Sequence, residues 1–166
     1  MEAWKAADTR SLLSFPVNDT TSTFVCATRR DKAGRFIVDA ISTDGGSIPR
    51  NVAVRNGLAL VRYQALTINE FVTKVSTAGA RMLGLRDKGH LGVGADADVT
   101  VLDLKRGLAA MTVVGGRLVM SHGVVHGAGG KVVTTAEGEV AIRALGVPYS
   151  LARMEDALLY TKRLTQ

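Results

Sequence analysis

The hydrophobic pattern of this chain changes period along its length, and the changes mark out its elements. Phe24–Thr28 and Arg35–Thr43 read as strands, joined by Asp31-Lys32-Ala33-Gly34, a favourable turn sequence. Within the second run, Phe36, Val38, Ala40 and Ile41 form a nearly continuous apolar stretch, which predicts a strand covered on both faces. From Arg50 to Arg62 the period becomes helical, with Val54, Leu58, Val61 and Ala65 on one face and Gly57 as its weak point. Thr67 precedes Glu70 by the spacing of a capping box, which opens a helix carrying Ile68, Phe71, Val72 and Val75 on one face. A further helical stretch, Thr77–Leu83, stops at Gly84.

After Asp96 the pattern shortens. Asp98–Leu102, Met111–Val114, Arg117–Met120, Gly123–Val125 and Lys131–Thr134 read as short strands of one β-meander. Gly115-Gly116 and His122-Gly123 stand at its bends, where two-residue glycine turns suit hairpins. Residues 1–14 suit a short helix broken by Pro16, and Leu151–Leu164 suits a partly amphipathic one.

Composition narrows the function classes. The 18 glycines and an aromatic share of only 5% favour turns between short strands over a helical bundle. The net charge of +6 is scattered, without the aromatic interleaving that stacks bases, so no nucleic-acid partner is expected. No stretch approaches the roughly 20 apolar residues of a membrane span, and no signal-peptide h-region follows Met1. The lone Cys26 lies in an apolar run and reads as a buried small hydrophobe in a strand. A cytoplasmic setting is the expectation.

Two segments carry chemistry. Ile37-Val38-Asp39-Ala40-Ile41-Ser42-Thr43-Asp44-Gly45-Gly46 is an apolar run that delivers a carboxylate at its tip. Downstream, Lys88-Gly89-His90-Leu91-Gly92-Val93-Gly94-Ala95-Asp96-Ala97-Asp98-Val99-Thr100-Val101-Leu102-Asp103 leads from a glycine-punctuated turn into alternating strand. Taken alone, Asp44 also fits an ordinary aspartate closing a strand before a Gly-Gly turn. In this order the two segments, across roughly residues 36–127, resemble the amidohydrolase superfamily of dihydroorotases, hydantoinases, isoaspartyl dipeptidases and related deacetylases. Thr43 to Pro49 looks most like the isoaspartyl-dipeptidase and deacylase branch.

The resemblance implies a (β/α)8 barrel followed by a small β-sandwich. It implies that Asp44 ends the last barrel strand, where such barrels keep their active sites, and acts there as metal ligand and general base. Gly45, Gly46 and Ser47 would shape the substrate loop, and zinc is the implied cofactor of the complete enzyme. The family also takes histidine ligands from a His-x-His and from later strands. This chain has no His-x-His, and its three histidines, His90, His122 and His126, all follow Asp44. His122 and His126 have the four-residue spacing of a helical zinc pair, but their glycine-rich hairpin context does not converge them. Asp96 and Asp98 read as structural, one closing a turn and one starting a strand. Ser42 and Ser47 have no histidine nearby in sequence and no nucleophile elbow, and Gly127-Ala128-Gly129-Gly130-Lys131 lacks the spacing of a phosphate loop.

The expected fold class is therefore α/β plus β: part of a (β/α)8 barrel (its last strand and helices), then part of a small β-sandwich. The expected divisions are 1–86 for the barrel end, 87–136 for the sandwich hairpins and 137–166 for a partly helical tail. A complete barrel takes about 250 residues, so the expected function is that of a C-terminal fragment or subunit of a metal-dependent amidohydrolase. It would hydrolyse amide, cyclic amide or dipeptide-like C–N bonds and be inactive alone. Its expected partners are the remaining barrel portion, or further copies of the chain, and a small amide substrate. The alternative is a non-catalytic, β-rich association module in which the orphan strand Phe36–Thr43 exposes a pairing edge.

Overall fold

A computed structural model describes residues 20–42, 52–127 and 130–158. The chain divides into two units, Met1–Ile37 and Val38–Gln166. The first holds helix α1, Thr20–Thr28, where strand had been expected over Phe24–Thr28. Val25, Thr23 and Thr28 favour strand by their branching, but among the described residues no strand lies beside the segment to complete a ladder, and the i→i−4 bonds of a helix satisfy its backbone locally. The Thr28 hydroxyl adds a bond to the Phe24 carbonyl at 2.8 Å. Ala27 is the buried residue of this helix, and Cys26, expected to be buried, is exposed.

The turn at Asp31 forms as its sequence predicts. The Asp31 carboxylate accepts from the Ala33 and Arg35 backbone N–H groups, each at 2.9 Å, and Gly34 takes the left-handed conformation at φ +78°. Phe36 closes a single antiparallel bridge to Arg30, whose guanidinium lies 3.9 Å from the Phe36 ring centre. The expected strand Arg35–Thr43 goes no further: from Ile37 to Ser42 the described residues make no ladder, and Ile37 is 58% exposed rather than covered on both faces. A parallel strand needs flanking strands to satisfy its N–H and C=O groups, and none lies beside it among the described residues.

In the second unit, α2 spans Ala53–Arg62. Leu58 of the predicted face is buried, as is Gly57, while Val54, Val61 and Ala65 are half-buried. Next comes a nearly continuous helical run: α3 (Ile68–Val72), one π-helical segment (Thr73–Thr77) and α4 (Ala78–Met82). The predicted capping box is present in both directions, with the Glu70 N–H donating to the Thr67 hydroxyl at 3.2 Å and the Thr67 N–H to the Glu70 carboxylate at 2.9 Å. The buried face differs from the expected one. Phe71, Lys74 and Ala80 are buried, whereas Val72 and Val75 are exposed. The run ends in a Schellman motif. Gly84, at φ +66°, donates to the Arg81 carbonyl at 3.2 Å, and Leu85 donates to Ala80 at 2.9 Å.

The meander follows as β1 (Val99–Asp103), β2 (Leu108–Val114), β3 (Arg117–Ser121) and β4 (Val124–Val125), an antiparallel sheet in that order. Two of its turns are two-residue hairpins with paired positive φ: Gly115 and Gly116 at 54° and 77°, His122 and Gly123 at 50° and 81°. That is the type I′ geometry that matches strand twist. No residue of these four strands is buried. The predicted fifth strand leaves the meander. As β5 (Val132–Thr134) it pairs in parallel with β6 (Tyr149–Leu151), and α5 (Ala136–Ala144) makes the crossover. Thus Leu151 belongs to a strand rather than to the expected helix, a 3-10 turn occupies Met154–Asp156, and residues 159–166 lie outside the described residues.

Candidate functional site

Asp44, Gly45, Gly46 and Ser47 lie outside the described residues. What the structure describes is the approach to them and the turn downstream. The approach, Val38–Ser42, is held by Lys74 of the π-helical segment. The Lys74 ammonium donates to the Val38 carbonyl, and the Lys74 carbonyl accepts from the Ile41 N–H at 3.1 Å.

The downstream turn is organised by charge. Lys88 Nζ donates to Asp96 Oδ2 at 2.8 Å and to Asp98 Oδ2 at 2.5 Å, and Lys131 Nζ donates to the same Asp96 oxygen. Asp98 also accepts from the Gly115 N–H at 2.7 Å, which ties the first hairpin to the turn. The Lys131 ammonium, then that of Lys88, holds the Asp96 carboxyl below the usual carboxylate range. Lys88 chiefly does the same to Asp98. Partial burial opposes the charge on Lys88, but the two carboxylates outweigh it and raise its pKa. Asp96 and Asp98 thus serve structural ion pairs, as their sequence context implied. Lys131, from far along the chain, is the member that sequence reasoning missed, and no local pattern marks it.

A cleft of about 420 Å³ opens beside this turn, with Thr77, Arg81, Arg86, His90 and Asp156 in its wall. Its charges are largely paired. Arg86 grips Asp156 through two bonds, at 2.6 and 2.7 Å, which lowers the Asp156 pKa and raises that of Arg86.

His90 and His126 each have partners of their own. His90 Nδ1 accepts from the Gly92 N–H at 3.1 Å, so Nε2, 2.8 Å from the Arg86 carbonyl, is the donor in the neutral ring. His126 Nε2 lies 2.6 Å from the Ser121 hydroxyl across the last hairpin, and His122 occupies the turn itself. Among the described residues no group of three or more His, Cys, Asp and Glu side chains could hold a metal ion. The described residues therefore do not fit the zinc that the resemblance implies. Nor is any described helix long and apolar enough to cross a membrane.

A model of the amidohydrolase family matches residues 51–126, from just before α2 to the end of the meander. The matched residues make up less than half of the chain. The Thr67 cap, the Gly84 stop, the Lys88–Asp98 turn and the β1–β4 meander all fall inside the matched segment. Among solved structures, the chain is similar to β-aspartyl dipeptidase from the thermophilic, keratin-degrading Fervidobacterium islandicum AW-1, in complex with the β-Asp-Leu dipeptide. The identity is 24% and the TM-score 0.42, over 60% of this chain and 24% of that one. The chain thus spans about a quarter of that structure's length. No curated protein matches it.

Proposed function

We propose that this chain supplies the C-terminal part of a metal-dependent amidohydrolase that hydrolyses C–N bonds in amide, cyclic amide or dipeptide-like substrates. In this reading Asp44 closes the last strand of a (β/α)8 barrel as metal ligand and general base. Gly45, Gly46 and Ser47 form the substrate loop, and the β1–β4 meander is part of the accompanying sandwich. The observation that carries the reading is the amidohydrolase match over residues 51–126, which begins directly downstream of Asp44. This sequence carries three histidines and no His-x-His, so in this reading the remaining zinc ligands belong to the rest of the barrel.

The experiment is co-expression with a His-x-His-bearing barrel portion, followed by metal analysis and assay of small amides and β-aspartyl dipeptides. The expected result is bound zinc and amide hydrolysis in the assembly, both lost in Asp44→Asn. Full activity in Asp44→Asn would overturn the assigned role.

A second reading is favoured by a separate observation. No residue of β1–β4 is buried, and the edge strand β4 leaves Val124 57% and Val125 75% exposed. An uncovered apolar edge recruits further strands, so the chain would serve as a non-catalytic, β-rich association module. Sedimentation over a concentration series distinguishes the two readings. Growth of metal-free oligomers through β4, abolished by Val125→Lys, supports the second.

A further inference from the structure

Lys74 is buried, at 2% exposure. Stripping water from an ammonium carries a large cost, so a buried lysine persists where the fold compensates it. Here it stands in the only π-helical segment among the described residues, Thr73–Thr77. Such widened turns are rare, and they recur at functional sites. The segment is closed by the Ala78 N–H donating to the Thr73 carbonyl, five residues back.

From that turn Lys74 holds one short stretch of chain at two points. Its ammonium donates to the Val38 carbonyl, and its own carbonyl accepts the Ile41 N–H at 3.1 Å. Among the described residues the stretch makes no strand ladder, and these two bonds hold it to the helical run. Ile41 stands three residues before Asp44 in the sequence. An apolar residue at position 74 would fill the same buried volume but would supply no side-chain donor for the Val38 carbonyl.

The geometry points to Lys74 as a positioning residue that fixes Val38–Ile41 and so sets the approach of the chain to Asp44. This rests on the reading of Asp44 as the site carboxylate.

The test compares wild type, Lys74→Met and Lys74→Gln. In the chain alone, hydrogen exchange at the Ile41 amide should quicken at least tenfold in Lys74→Met, beyond any change in globally protected amides of α2. Lys74→Gln keeps a neutral N–H donor and should show a smaller rise of the same sign. It stands in if the Met variant does not fold. In an active co-expressed assembly, kcat should fall about tenfold in Lys74→Met with KM within twofold, and Lys74→Gln should recover part of it. Ile41 exchange that only tracks global stability would overturn the inference, as would an unchanged kcat in an active assembly. A wild-type assembly without any amidase activity would count against the proposed function, and the exchange result would then decide the clamp by itself.

Discussion

Lys88 and Asp98 stand ten residues apart and meet at 2.5 Å, and Asp96 accepts from the same ammonium at 2.8 Å. One cation thus closes the turn that carries the chain from its helices into the meander. The three side chains are only 21% to 33% exposed, so water screens the pairs less than it would on an open surface.

This pairing predicts an acid-sensitive stability. The folded pKa values of Asp96 and Asp98 lie below the ordinary 3.8. Their contribution is therefore fully present above that value and is lost as pH falls through the depressed folded values. Lys88 is raised above its ordinary 10.5. Its share is complete below that pH and is lost as pH rises through the folded value. Lys88→Met should cost about 1–3 kcal/mol at neutral pH, the range for hydrogen bonds to charged groups. It should also flatten the loss of stability below pH 3.8. Urea midpoints measured across pH check both.

Gly57 predicts a steric failure. A Cβ there would fall 1.9 Å from the Phe71 ring, whose burial is nearly complete at 1% exposure. Alanine improves helix propensity by about 1 kcal/mol, but overpacking a filled core costs about 1–3 kcal/mol. Gly57→Ala should therefore destabilise despite the better helix former. Adding Phe71→Leu should return part of the loss, a non-additivity that a double-mutant cycle of urea unfolding measures.

Two glycines with similar backbone angles predict different costs. Gly84 has φ +66° and Gly115 φ +54°. A Cβ at Gly84 would meet the Arg153 carbonyl oxygen at 2.1 Å, whereas at Gly115 nothing lies within 4 Å. Gly115→Ala should cost only the left-handed penalty of about 1–2 kcal/mol. Gly84→Ala should cost clearly more, since the Arg153 N–H also donates to the Gly84 carbonyl at 3.1 Å and backbone must move. Thermal unfolding of the two variants side by side checks the order.

Ser150 predicts a gain. Its hydroxyl is buried and has no hydrogen-bond partner among the described residues. A buried unsatisfied hydroxyl costs about 1–3 kcal/mol in protein settings. Ser150→Ala should thus hold or raise stability, by up to about 1 kcal/mol after the small packing loss. A lower urea midpoint in this variant would contradict the assignment.

The elements legible in the sequence were those specified by neighbours in the chain. The Thr67–Glu70 box, the Gly84 stop and the glycine hairpins each depend on a few consecutive backbone angles and bonds. For the same reason the motif from Lys88 to Asp103, and with it the amidohydrolase resemblance, could be read directly, and the family match falls on it.

Strand expectations failed where pairing had to come from elsewhere. Branched residues suggested a strand over Phe24–Thr28, and apolar continuity suggested one over Arg35–Thr43, but a strand exists only with a partner beside it, and the backbone found helix in one case and the Lys74 clamp in the other. Lys131–Thr134 alternates like a meander strand, yet its partner is Tyr149–Leu151 beyond an intervening helix. Val72 and Val75 read as part of the buried face, and only packing turned them outward and Lys74 inward. The amino-acid order by itself determined the caps, turns and family motif, because torsion limits and short-range hydrogen bonds act within a few residues. Which side chains are buried, which strands pair and which charges meet was left to the tertiary structure, because those energies arise between groups far apart in the chain.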